Sequence, residues 1–215
     1  MAGLSAETVR ANVERVRAEI DAAAGRAGRD PADVELLAAV KYVDVEDIGV
    51  LVEAGLTLLG ENRAQQLEAK HAAHPEARWH FIGQLQSRKV KTILPLVELI
   101  HSVASDSALA QLERHAAPGT EILVEVNVAG EDAKAGIAPA DLGDFIARAP
   151  VTVVGLMGMP PFAENPEASR PHFAALRELA AEHGLRHLSM GTSQDFAVAV
   201  EEGATIVRVG SILFE

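Results

Sequence analysis

Val9, Val13, Val16 and Ile20 recur at spacings of four, three and four residues, one apolar stripe of a 3.6-residue period. The stripe predicts a helix over the first 28 residues, with Ser5 placed to cap its start and the glycine-bearing stretch 25–28 to end it. Beyond it the pattern changes to short apolar runs at 34–40, 56–59, 79–82, 97–103, 122–128, 151–159, 187–190 and 205–209. Helix-like stretches lie between them at 45–54, 63–73, 87–94, 107–116, 139–149, 169–183 and 194–202. The runs are continuous rather than alternating, which implies burial on both faces and hence a parallel sheet covered by helices.

Eight βα units close naturally into a (β/α)8 TIM barrel, a fold of ~250 residues. This chain has 215 residues, so its last outer helix is expected to be missing or very short, with the N-terminal helix as the substitute. The expectation is a single α/β barrel domain over 1–215. An open doubly wound sheet is the alternative, less suited to such regular units.

Composition narrows the chemistry. The formal net charge is −12, from 31 acidic and 19 basic residues, which argues against nucleic acid and against anionic lipid as partners. The chain has no cysteine, which excludes disulfides, a thiol nucleophile, Fe–S clusters and thiolate zinc sites. Its start lacks the basic flank and apolar core of a signal peptide, and no apolar run reaches the ~20 residues of a membrane helix. A cytoplasmic protein is expected.

In such barrels the chemistry sits where the strands end and the following loops begin. The first strand ends at Lys41; the second runs into Gly60-Glu61-Asn62, and the third into Gly83-Gln84-Leu85-Gln86. The fifth ends near Asn127, the sixth at Met157-Gly158-Met159-Pro160-Pro161, and the seventh leads to Gly191-Thr192-Ser193. The eighth carries Arg208 and ends at Gly210-Ser211. A lysine held among apolar neighbours loses ammonium solvation, so its free amine becomes a nucleophile toward an aldehyde; a lysine snorkelling into water is the plainer alternative. Two small hydroxylic turns after strands seven and eight fit the usual phosphate position of these barrels, although Thr192 or Ser193 could also cap the next helix. Lys41 opposite those turns suggests a phosphorylated aldehyde as ligand. Arg208, inside a strand, needs a partner: an internal carboxylate such as Glu61 or Glu125, or the ring nitrogen of a cofactor such as pyridoxal phosphate. An arginine there would leave that nitrogen largely unprotonated and the cofactor a weak electron sink.

Other groupings are less specific. His71 and His74 stand three apart on a helix, where an exposed face is the simpler reading than a metal site. Arg88, Lys89 and Lys91 read as a solvated helix face, with Arg88 or Lys89 as an aid to an anionic ligand in the alternative. Lys134, in the loop 131–136, could meet ligand in transit.

Taken together, the stretches Leu37-Ala38-Ala39-Val40-Lys41, Gly60-Glu61-Asn62, Trp79-His80-Phe81-Ile82-Gly83-Gln84-Leu85-Gln86-Ser87, Gly155-Leu156-Met157, Leu188-Ser189-Met190-Gly191-Thr192-Ser193-Gln194-Asp195 and Val207-Arg208-Val209-Gly210-Ser211 resemble those of the pyridoxal 5′-phosphate (PLP) homeostasis proteins, single-domain relatives of the alanine racemase barrel. The resemblance spans nearly the whole chain. It implies PLP as cofactor in vitamin B6 homeostasis, held as a Schiff base on Lys41. It also implies a phosphate cradle from Ser193, Gly210 and Ser211, Arg208 facing the pyridine nitrogen, and Asn62 and His80 lining the pocket. Val40 departs from the Ser or Thr that many relatives carry before the lysine. The related racemases add a second catalytic base, a tyrosine, from a further domain. Here the one tyrosine, Tyr42, follows Lys41 and is expected to point to the opposite side of the strand. A non-catalytic, monomeric carrier that buffers PLP and delivers it to PLP-dependent apoenzymes is therefore expected. The alternatives are a PLP-dependent racemase or lyase, or a sugar-phosphate aldolase using Lys41 directly.

Overall fold

The structure, a computed structural model, describes residues 4–130 and 135–215. The N-terminal stripe forms α1 (Ala6–Arg26) and buries all four of its predicted residues, Val9, Val13, Val16 and Ile20. Ser5 stands at its start, but the side chain makes no cap bond; its carbonyl instead accepts the Val9 N–H at 2.9 Å. The chain leaves the helix through Gly28 at φ +66°, a conformation glycine adopts without steric cost.

Eight parallel strands follow: β1 (Glu35–Ala39), β2 (Leu58–Glu61), β3 (Arg78–Phe81), β4 (Leu99–Val103), β5 (Glu121–Glu125), β6 (Thr152–Met157), β7 (His187–Thr192) and β8 (Ile206–Val209). Each is paired with its neighbours in chain order, and β1 pairs with β8 through Leu37↔Arg208 and Ala38↔Val209, closing the barrel. The intervening helices are α2 (Ile48–Glu53), α3 (Ala64–Ala73), α4 (Val90–Ile93), α5 (Asp106–His115), α6 (Leu142–Ala147), α7 (Arg170–Glu182) and α8 (Phe196–Glu201). No helix among the described residues is long and apolar enough to cross a membrane.

The period of two along the strands, interrupted in β6 by a shift of register against β5, sorts side chains into two cores. Leu37, Leu58, Leu99, Leu123, Val154, Met157 and Ile206 pack inside the barrel. Outward residues such as Leu36, Ala38, Leu59, Val207 and Val209 join Leu51, Leu67, Leu112 and Phe173 of the helices in a larger shell. That double burial is why the strands read as unbroken apolar runs.

After β8 comes one 3-10 turn, Ser211–Leu213, and α1 fills the remaining place in the outer ring. Asn12 Nδ2 donates to the Glu215 carbonyl at 2.7 Å and Arg15 to the Ile212 carbonyl at 3.2 Å, while Arg26 pairs with Glu201 of α8 at 2.6 Å. The N-terminal helix thus caps the β8–β1 seam.

Candidate functional site

Inward positions on β8 are Ile206 and Arg208, so the pleat directs the guanidinium into the barrel. Arg208 is 7% exposed. Its Nη1 donates to Ser189 Oγ at 2.6 Å and its Nη2 to the Gly158 carbonyl at 3.1 Å. Ser189 Oγ lies 2.8 Å from His101 Nδ1, and His101 Nε2 lies 3.0 Å from His80 Nδ1. His80 Nε2 points toward Glu98 Oε2, 3.8 Å away at the opposite end of the barrel.

The directions in this chain follow from its two ends: Arg208 can only donate, and the Glu98 carboxylate facing His80 Nε2 can only accept, which sets a proton on that nitrogen. His80 Nδ1 then accepts from His101 Nε2, and His101 Nδ1 accepts the proton of Ser189, whose oxygen accepts from Arg208. Both imidazoles are held neutral: burial, then Arg78 and His187, pushes His80 down to about 3. Burial, then His80, Arg208 and His187, holds His101 well below the ordinary histidine range.

Arg208 itself is drawn down to about 10 by burial, opposed by Asp195 and Glu125, and remains a cation at neutral pH. Among the described residues no carboxylate lies within ion-pair distance of it. Neither expected internal partner serves. Glu125 acts only through its field, with its own carboxyl raised by burial. Glu61 points out of the barrel, because Gly60 takes the inward position on β2, and meets Lys70 of α3. In direct contact the guanidinium meets dipoles alone.

At the ends of β7 and β8 the two hydroxylic turns meet. Gly191 turns at φ +89°, and a Cβ there would stand 2.5 Å from Ala199 Cβ. Asp195 Oδ1 accepts from both Thr192 N–H at 2.7 Å and Thr192 Oγ1 at 3.1 Å, and its Oδ2 from Ser169 Oγ at 2.8 Å. Thr192 N–H is therefore engaged by Asp195 rather than free for an anion, and no side chain caps α8. Ser193 Oγ accepts the Gly210 N–H at 3.0 Å, joining the turns. The N–H groups of Ser211 and Ile212, in the first turn after β8, have no backbone acceptor among the described residues.

Lys41 departs from expectation. β1 ends at Ala39, and residues 40–43 form a turn closed by Val43 N–H to the Val40 carbonyl at 3.0 Å. Lys41 is exposed, not enclosed among apolar neighbours, and its Nζ stands 4.6 Å from the Tyr42 ring centroid. Tyr42 is consequently beside Lys41, not opposite it, because strand alternation has already stopped. Asn62, just past β2, has its side-chain Oδ1 buried with no hydrogen-bond partner. Its backbone is backed by Gly83, where a Cβ would come within 2.0 Å of the Asn62 carbonyl oxygen.

Lys41, Asn62, Ser193, Arg208, Gly210 and Ser211 thus all fall at strand ends or on the inward face at the same end of the barrel. His80 lies deeper, reaching Arg208 through His101 and Ser189. Reading the residues alone singled out neither His101 nor Ser189, although Leu99 and His101 share one strand face, as do His187 and Ser189. Of the weaker groupings, His74 Nδ1 bonds Glu76 Oε1 at 2.9 Å, and no cluster of metal-ligating side chains occurs among the described residues. Arg88 is exposed and folds back on Gln86 Oε1 at 3.1 Å. Lys134 lies outside the described residues.

Fold and site define a class: parallel (β/α)8 barrels whose mouth carries an exposed amine, an orphaned amide oxygen and a buried guanidinium without a carboxylate. No family model matches the chain. The pyridoxal phosphate homeostasis protein of Aquifex aeolicus is 43% identical over 217 residues, covering 94% of this chain and 95% of that protein. PipY of Synechococcus elongatus PCC7942, solved with PLP bound, matches with a TM-score of 0.81 at 30% identity, covering 96% of this chain and all of that one. Alanine racemase from Corynebacterium glutamicum shares the fold, with a TM-score of 0.74 at 14% identity over 98% of this chain and 61% of its own. The chain belongs to the pyridoxal phosphate homeostasis protein family.

Proposed function

We propose that the barrel mouth binds PLP, and that the protein buffers this cofactor and hands it to PLP-dependent apoenzymes rather than turning over amino acids. The observation that carries the reading is Arg208. A buried guanidinium without a carboxylate is costly, and two neutral imidazoles stand behind it where an acid could have stood. Such a group is suited to an acceptor that arrives with a ligand, here the ring nitrogen of PLP. The orphaned Asn62 Oδ1 offers a second vacant bond. Ser193, Gly210 and Ser211 would hold the phosphate, with unused backbone N–H groups beside them. Lys41 would supply the amine. When bound, PLP contributes an aldehyde that condenses reversibly with such an amine, which makes the attachment both covalent and releasable. The PLP-bound PipY and the names of the relatives support the same assignment.

The placement of Tyr42 bears on catalysis. Two-base racemization needs groups on opposite faces of the substrate, and Lys41 and Tyr42 adjoin on one turn. Carriage is therefore favoured over racemization, for a different reason from the one strand alternation suggested. An aldolase acting through Lys41 would have no use for an acceptor-seeking arginine inside the barrel.

Absorption spectra of the purified protein, with and without added PLP and before and after borohydride, test the reading. The wild type should gain a visible band that borohydride abolishes. Lys41→Ala should lack it at unchanged stability, since an exposed side chain costs less than ~0.5 kcal/mol to remove. A wild type that stays colourless with PLP refutes the proposal, and trapping only in the presence of a sugar phosphate supports the aldolase.

A further inference from the structure

Lys70 is the most unexpected residue in the outer shell. It shares the buried face of α3 with Leu67, where packing alone calls for a second apolar side chain. Its side chain is 1% exposed, and its Nζ stands 2.5 Å from Glu61 Oε2, itself wholly buried. The same Nζ donates to the Val40 carbonyl at 2.7 Å. The other carboxylate oxygen, Glu61 Oε1, accepts the N–H groups of Asn62 at 2.6 Å and Arg63 at 3.0 Å.

The two ends of this pair grip two particular peptide groups. Val40 C=O belongs to the peptide that leads into Lys41, and it is also the acceptor that closes the 40–43 turn. Asn62 N–H belongs to the peptide that leads into Asn62. The ladder bonds Val40 N–H to Gly60 O and Ile82 N–H to Glu61 O already hold the strands together. The ion pair acts just beyond them, where the ladder stops and the site residues begin.

Stability alone does not account for the pair, because a buried ion pair is often no more stabilising than apolar residues of the same volume. We infer that Lys70 and Glu61 are positioning residues: one buried ion pair sets the backbone of Lys41 and of Asn62 together, so that amine and amide face a single ligand. That ligand is PLP on the reading above, and the inference rests on it for the ligand's identity only.

The double variant Glu61→Leu/Lys70→Met separates positioning from stability, since it removes both charges and leaves no buried ion unpaired. Hydrogen exchange on the unloaded protein should show the amides of Asn62 and Arg63, which lose one charge-assisted bond each, exchanging about tenfold faster or more, and that of Val43 also exchanging faster, because its acceptor, the Val40 carbonyl, loses Lys70. PLP affinity, read from the visible band, should fall by about tenfold or more. Leu67→Ala, on the same helix face, should destabilise the fold yet leave those three amides and the affinity within about twofold. Should the double variant not fold, Glu61→Gln decides: its amide oxygen keeps Asn62 and Arg63 protected while the grip on Lys70 weakens, so Val43 alone exchanges faster. Unchanged exchange at all three amides, or Leu67→Ala matching the double variant, overturns the inference. If the wild type binds no PLP, the functional reading fails while the exchange comparison still decides the positioning role.

Discussion

Acid should attack this barrel from its centre. His80 is held down to about 3 and His101 well below the ordinary value, in both cases chiefly by burial, whereas an unfolded histidine titrates near 6.5. Between about pH 6.5 and about pH 3 the unfolded chain therefore binds up to two more protons than the folded one at these positions. Stability rises with pH wherever the unfolded state binds the extra protons, so here it falls as pH falls. For His80 the loss is about RT ln(1 + 10^(6.5 − pH)), or about 1 kcal/mol at pH 5.5 and about 3 kcal/mol at pH 4.5. His101 adds to the loss in the same direction, against a typical total of about 5–15 kcal/mol. The carboxylates of Glu167 and Glu201, held low by hydrogen bonds from Arg170, act in a separate window: their stabilisation is lost as pH falls below the ordinary carboxylate value. Urea unfolding at about pH 7.5, 5.5 and 4.5 on the wild type and on His101→Gln gives the measurement. Glutamine keeps an acceptor for Ser189 and a donor for His80 without the proton, so the variant should lose less stability than the wild type over the upper interval. Parallel losses in the two proteins would refute the neutral chain and, with it, the assigned proton on every atom between Arg208 and His80.

Two further substitutions test the frame that holds the site. Gly191→Ala places a Cβ 2.5 Å from Ala199 Cβ and 2.9 Å from Phe196 Cα at φ +89°, and should cost about 3 kcal/mol or more in urea unfolding while loosening the turn that carries Ser193. Leu123→Ala empties a fully buried position in the barrel interior and should cost about 2–5 kcal/mol by the same assay, with no effect on the pH dependence.

The strands were legible because burial on both faces writes each as an unbroken apolar run, and closure followed from counting eight of them. The two hydroxylic turns and Arg208 were legible from their place at the strand ends. Alternation fails one residue past a strand, which is why Tyr42 was expected opposite Lys41: the turn closed by Val43 brings both to one side. Within β2 the same rule was sufficient, since an inward Gly60 sends Glu61 outward and removes it as a partner for Arg208. His101 was hidden inside an apolar run and becomes visible only once Leu99 is known to face the barrel interior. Lys70 carried a signal, a charge at a core position of α3, but the carbonyl it grips lies 30 residues away and no local pattern records that.

The two buried cations among the described residues, Lys70 and Arg208, differ in how they are satisfied. Lys70 is closed: a carboxylate neutralises it, a carbonyl takes a further proton, and the carboxylate's remaining oxygen is filled by two backbone N–H groups. Its charge is spent on the protein's own backbone. Arg208 has neutral groups only, and the chain behind it runs through Ser189 and two imidazoles that burial keeps from charging. An acid in place of Ser189, the side chain that Arg208 reaches, would complete an ion pair and remove the demand for an incoming acceptor. With 31 acidic residues in the molecule, the absence of a carboxylate within ion-pair distance of Arg208 among the described residues is not explained by scarcity. A net charge of −12 repels a phosphorylated anion at long range, so on the proposed reading what recruits one is local: a guanidinium with no carboxylate in contact, at the end of a neutral hydrogen-bond chain.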